Sequence, residues 1–180
     1  DEVICKNLAI AEKDGDKYFE ISNHSNLHKL TQKITTNKIK CKTLTTLLRE
    51  ENFKPDFIKM DVEGAEIEVV NGFREYLKSD NHRISILFEV HPNDYNEKRS
   101  FNEELNFLFS NGFVTEYLIT AGTQFPNFFK EKGYSPDASF RSGKFKRYII
   151  KNVKNEDVIS SLNNSIYYPE INSLKNMIKT

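Results

Sequence analysis

The sequence sets Asp61, Glu63 and Glu66 at the end of one apolar run, Phe57-Ile58-Lys59-Met60, and Glu89 and His91 at the end of the next, Ile84 to Val90. Carboxylates alone attract cations and orient hydroxyl groups. An imidazole beside them adds a general base, able to take the proton of a hydroxyl as it attacks an electrophile. A neighbouring carboxylate strengthens such a base by favouring its protonated form. His91 is the only histidine so placed, since His24, His28 and His82 fall in polar, loop-like sequence. On its own it would more often be a structural hydrogen-bonding residue. The same Asp/Glu/His set could also hold a hard divalent cation, although no close spacing such as HExxH supports a metal site.

The local chemistry sharpens these choices. An acid that follows an apolar strand core, as Asp61 does, needs a partner or a ligand. Gly64 permits a sharp turn between a strand and a helix. Glu63 and Glu66 stand at a helix start, where free N–H groups favour carboxylates by a few tenths of about 1 kcal/mol each. For Glu66 that structural role and a functional one are equally open.

Two polar tips form one site only if their strands are neighbours, and in an open α/β sheet the ligand crevice lies outside the carboxyl ends of parallel strands. The periodicity supports that architecture. Val3 to Ala11 reads as a strand, Asp14-Gly15-Asp16 as a turn, and Tyr18, Phe19 and Ile21 as a returning strand. Lys38 to Thr43 reads as a short strand, followed by a helix capped at Thr45 and ending near Asn52. Phe57 to Val62 is a buried strand, and Ala65, Val69, Phe73 and Leu77 share one face of a following helix. Ile84 to Val90 is a nearly unbroken apolar run, as expected of a strand covered on both faces. A helix over Phe101 to Ser110 and strands over Phe113 to Ile119 and Lys146 to Ile150 complete an α/β chain.

Between the last two strands, Ala121 to Lys144 reads as a long irregular stretch. Its Phe128 and Phe129 suit packing onto the sheet, whereas Tyr134, Arg141 and Lys144 suit a lid that meets sugar or anionic groups. After Asn152 the chain reads as a tail, 153–180, with one helix over Asp157 to Leu162. The 26 Lys plus Arg balance 26 Asp plus Glu, so no basic excess points to nucleic acid. Cys5 and Cys41 have no CxxC or His-rich company and read as free thiols of a reducing compartment. No apolar run is long enough to span a membrane, and the start lacks the pattern of a leader. A cytoplasmic protein is expected. The sequence starts without Met inside what reads as a fold, which leads to the expectation of an upstream part.

The segment DFIKMDVEGAEIEVVNGF, followed by ILFEVHP, resembles the core of the FkbM family of S-adenosylmethionine-dependent methyltransferases, with NLAIAEKDGDKYFEI and KCKTLTTLL in the matching order upstream. The resemblance covers about Val3 to Phe113. It implies a class I methyltransferase Rossmann-like fold, a mostly parallel sheet with helices on both faces, here without its first strands, over residues 1–152. It also implies S-adenosyl-L-methionine as cofactor and methyl transfer to a hydroxyl of a sugar, glycan or related metabolite. Asp61 would lie near the sulfonium and the acceptor, Asn7 near the adenine, and Glu63, Glu89 and His91 would face the acceptor, with His91 as base. The chain departs from the family in having no glycine-rich turn after a first strand and no ribose-binding acid after a second. Its seven glycines are isolated. A non-catalytic scaffold of the same fold, binding a glycan or a protein partner through Phe125 to Arg147, is the alternative.

Overall fold

The computed structural model describes residues 3–20, 29–31, 37–79, 83–90, 95–96, 99–120, 124–163 and 174–179. The chain divides into two compact units, Asp1–Lys54 with Ile67–Asp80, and Pro55–Glu66 with Asn81–Thr180. Among the described residues no helix is long and apolar enough to cross a membrane.

The first unit is a four-stranded sheet with two helices. Its strands β1 (Ala9–Ile10), β2 (Gly15–Glu20), β3 (Lys29–Thr31) and β4 (Lys38–Lys42) lie in the order β1-β4-β2-β3, with β1 and β4 parallel and the other pairs antiparallel. The strand and returning strand expected over Val3 to Ile21 therefore do not pair with each other, because β4 lies between them. The Asp14 carboxylate shows why. It accepts hydrogen bonds from the Thr43 N–H at 2.6 Å and the Thr46 hydroxyl at 2.8 Å, fastening the turn before β2 to the end of β4. Those two bonds, the backbone one foremost, hold its carboxyl below the ordinary aspartate range.

Helix α1 (Leu44–Glu50) is capped by Thr43, whose backbone is extended and whose hydroxyl accepts the Thr46 N–H at 2.9 Å. Thr45, expected as the cap, is buried instead and donates to the Gly72 carbonyl at 2.7 Å. Gly72 lies in helix α2 (Glu66–Ser79), where a Cβ would stand 2.5 Å from the Ala11 carbonyl oxygen. Only glycine allows that approach. The buried stripe of α2 runs through Val69, Val70, Phe73 and Tyr76, so Tyr76 rather than Leu77 continues it.

The second unit is a six-stranded sheet. Its strands are β5 (Phe57–Met60), β6 (Ser85–Val90), β7 (Val114–Thr120), β8 (Ala138–Ser142), β9 (Phe145–Lys151) and β10 (Leu174–Lys179), in the order β5-β6-β10-β7-β9-β8. The expectation of a mostly parallel sheet is corrected here: β5 and β6 are parallel, whereas β10 is antiparallel to β6 and β7, and β9 to β7 and β8. The cause is the C-terminal segment. Residues 153–180, expected as a tail, supply helix α5 (Asn155–Asn163) and then β10, which enters the sheet between β6 and β7. Since β10 opposes both neighbours, β5, β6 and β7 still run in one direction.

Residues of β6 alternate between buried Ile86, Phe88 and Val90 and half-buried Ser85, Leu87 and Glu89, so one face is closed more fully than the other, contrary to the strand covered on both faces. Helix α3 (Asn102–Ser110) turns Leu105 and Leu108 inward and meets α5 through Asn102 and Asn163 at 2.7 Å. The stretch expected as irregular contains helix α4 (Asn127–Glu131) and β8. Phe128 and Phe129 are buried there, edge to face at 5.1 Å.

Tyr134 is part of the framework and not of a lid. Its hydroxyl donates to Asp157 at 2.7 Å and accepts the Lys154 N–H at 3.1 Å, and Lys132 pairs with the same carboxylate at 3.0 Å. Burial pushes the Asp157 carboxyl up, but the bonds from Tyr134 and Lys132 and the charges of Lys132 and Lys154 more than offset it, so the group is held below the usual range. Burial and the Asp157 charge, against the Lys154 N–H, push the Tyr134 hydroxyl up. A depressed carboxylate contributes stability above its unfolded value of about 3.9, lost as pH falls through the folded value. Asp157→Asn is expected to cost about 2 kcal/mol at neutral pH, with the deficit shrinking below about pH 4. Urea unfolding at both pH values checks this, and a deficit independent of pH would refute it.

Candidate active site at the ends of β5 and β6

Strands β5 and β6 pair in parallel through Phe57 with Ser85, Ile58 with Ile86, Lys59 with Leu87 and Met60 with Phe88. Pairing stops at Met60 because the chain then turns toward α2. Asp61 is therefore one residue past the last pair, at the same end of the strands as Glu89, which follows Phe88. Lys59 reaches along its own strand to Asp61, Nζ to Oδ2 at 2.9 Å. The Asp61 side chain keeps 34% of its surface exposed.

Val62 to Ala65 form a tight turn, closed by the Ala65 N–H on the Val62 carbonyl at 3.2 Å. Both central residues are left-handed, Glu63 at φ +49° and Gly64 at φ +88°. Glycine accepts that conformation without cost, whereas Glu63 holds it at an energy that its surroundings must supply. Those surroundings are visible. Glu66, with none of its surface exposed, accepts the Gly64 N–H at 3.3 Å and the Tyr95 hydroxyl in a short bond. The Arg99 guanidinium donates to the Gly64 carbonyl at 2.7 Å and lies 5.6 Å from the Tyr95 ring centre. Both peptide groups of Gly64 are thus gripped by side chains.

The clamp is anchored to the core. Tyr95 stacks on Phe101 at 5.9 Å, and Phe101 meets Phe88 of β6 edge to face at 5.6 Å. Asn96 and Arg99 exchange two backbone hydrogen bonds of 3.0 Å, and the Asn96 side chain accepts the Arg99 N–H at 3.1 Å. The arm after β6 therefore fixes the turn after β5.

Of the residues expected at the site, Asp61 and Glu63 follow β5 and Glu89 lies near the end of its parallel neighbour β6. His91 lies outside the described residues. Asn7 belongs to the first unit, exposed and two residues ahead of β1. Among the described residues no group of three or more His, Cys, Asp or Glu side chains is placed to hold a metal ion. The sequence analysis missed Tyr95 and Arg99. The signal was the demand of Glu66 for partners once buried, and a Tyr-x-x-x-Arg pair soon after the β6 tip was available to meet it.

A strand end carrying carboxylates beside a braced turn suits orienting a hydroxyl. The Methyltransferase FkbM domain model matches residues 4–115, more than half of the chain. The chain belongs to the FkbM methyltransferase family. The match spans β1 through the first residues of β7 and so includes Asp61, the clamped turn and Glu89, while α4, the β8–β9 hairpin, α5 and β10 lie beyond it. No curated protein and no solved structure matches this FkbM-family chain.

Proposed function

We propose that this FkbM-family protein is an S-adenosylmethionine-dependent O-methyltransferase acting on a hydroxyl of a sugar, glycan or related metabolite, in the cytoplasm. The observation that carries the proposal is the parallel β5–β6 register, ending at Met60 with Phe88, after which come Asp61 with the clamped Glu63–Gly64 turn on one strand and Glu89 on the other. A class I methyltransferase fold is supported by β5, β6 and β7 running in one direction with α2 and α3 in the connections.

Carboxylates of Asp61, Glu63 and Glu89 at this end of the β5–β6 pair would suit the cationic sulfur of the cofactor. They do not supply a grip for the nucleoside: among the described residues no glycine pair follows a parallel strand, and Asn7 stands ahead of β1. When bound, S-adenosylmethionine supplies an electrophilic methyl group on a cationic sulfur. The protein's part is to align the acceptor hydroxyl with that methyl, worth several kcal/mol of the roughly 7–11 available from positioning, and to take the hydroxyl proton. His91, next in sequence after β6, is the proposed base. Asp61 and Glu89 orient the hydroxyl, and Lys59 holds Asp61 in place.

Calorimetric titration of S-adenosylhomocysteine, followed by transfer of labelled methyl to a panel of oligosaccharides, tests the proposal. Saturable binding that Asp61→Ala weakens, with label recovered as a methyl ether, is expected. Absence of both binding and label would favour the non-catalytic scaffold.

A further inference from the structure

The β8–β9 hairpin carries a surface that the catalytic reading does not use. From Ala138 to Asn155 the sequence has six cationic residues, Arg141, Lys144, Lys146, Arg147, Lys151 and Lys154, and no carboxylate. Every residue of β8 is exposed, and Phe140 and Phe145 leave 45% and 40% of their surfaces in water. Register places Ser142 opposite Phe145 and Phe140 opposite Arg147, so both phenyl rings and the Arg147 guanidinium share one face. Arg141 opposite Lys146 occupies the other.

Edge strands often carry charge to block further pairing, and one arginine would serve that end. Two exposed phenylalanines work against it, because they invite association. The cations are also arranged over rings: Lys144 and Arg147 lie 5.4 and 5.6 Å from the Phe145 ring centre, and Lys146 lies 5.1 Å from that of Tyr148. Among the described residues none of Arg141, Lys144, Lys146 and Arg147 forms an ion pair. Their charges are held in place and left for an external anion.

Topology gives the hairpin its direction. Strand β9 opposes β7 from Ile119 with Ile149 to Tyr117 with Lys151, so the earlier residues of β9 run past Thr120, the carboxyl end of β7. Since β5, β6 and β7 run in one direction, the Gly143-Lys144 tip projects from the same end of the sheet as Asp61 and Glu89. Between β6 and β9 lie three strand spacings, about 14 Å.

We propose that the β8–β9 hairpin is the docking surface for an acidic oligosaccharide, the extended acceptor whose hydroxyl is methylated at the β5–β6 end. The inference rests on the methyltransferase reading for the reaction but not for the binding. Separation demands an acceptor of several sugar units. Charge demands one that meets carboxylates with a neutral hydroxyl and meets the hairpin with acidic groups. A uniformly charged nucleic acid strand would press its phosphates against Asp61, Glu63 and Glu89. Insertion into a bilayer would drag the Lys144 and Arg147 charges in with Phe145.

The test is calorimetric titration of an oligogalacturonate tetramer, with a neutral tetrasaccharide as control, into the whole protein without cofactor at low salt. Binding of the acidic sugar alone is expected, weakened about tenfold or more by the pair K144E/R147E, reduced by added salt, and weakened by Phe140→Ser as an independent variant. The hairpin assignment is overturned if the charge reversals leave binding intact, if the neutral sugar binds equally, or if neither sugar binds. It is likewise overturned if phosphatidylserine vesicles or an oligothymidylate compete more tightly. Because no methyl donor is present, failure of this assignment is distinct from failure of methyl transfer.

Discussion

Glu66→Ala is expected to lower the thermal unfolding midpoint by roughly 6–12 °C, more than any other polar truncation in the second unit. Glu66 is fully buried and receives the Tyr95 hydroxyl and the Gly64 N–H. Truncation leaves both donors without an acceptor, at about 1–3 kcal/mol each, so a loss near 3 kcal/mol follows, and each kcal/mol moves the midpoint of a chain this size by about 2–4 °C. Glu66→Gln keeps one carbonyl acceptor and should cost less than half as much. Tyr95→Phe removes one donor and preserves the ring stack on Phe101, so it should fall between wild type and Glu66→Ala. Differential scanning calorimetry of the three variants ranks them. A midpoint for Glu66→Ala within about 2 °C of wild type would mean that the Glu63–Gly64 turn holds its left-handed form without the clamp.

The clamp also shows where sequence reasoning stops. Helices α2 and α3 were legible because each buries one periodic set of apolar side chains, and β5 and β6 because each is a short apolar run, although β5 buries Met60 while Phe57 and Lys59 stay exposed. Partnership between elements leaves no such mark. Nothing in Lys38 to Lys42 says that this strand inserts between β1 and β2, and its fastening to the Asp14 turn is a long-range bond. Strand β10 is harder still, since LKNMIK offers little apolar signal and its place depends on two neighbours that oppose it. At the site, Asp61, Glu63 and Glu89 were readable as acids at strand tips. Tyr95 and Arg99 were not, because a polar arm after a strand has no period, and only the burial of Glu66 reveals what it must contain.

Turnover should respond most strongly at His91. His91→Ala is expected to lower methyl transfer by roughly 10²–10⁴-fold, the usual contribution of a positioned general base, while binding of S-adenosylhomocysteine stays near wild type. Glu89 lies two residues earlier in sequence, near the end of β6, at the same end of the parallel pair as Asp61. An acceptor hydroxyl held there has two groups to orient it, but carboxylates are weak bases for an alcohol, and the imidazole is the stronger one nearby in sequence. Lys59→Ala provides the contrast. It breaks the exposed Lys59–Asp61 pair, worth at most about 1 kcal/mol, and should change turnover by no more than a few-fold. A base must be unprotonated to act, so the wild-type rate should fall on the acid side while the residual rate of His91→Ala should not. Near-normal turnover in His91→Ala, or an acid limb that survives the substitution, would assign the proton to Asp61 or Glu89 or to water, and would leave His91 a structural residue of the β6 tip.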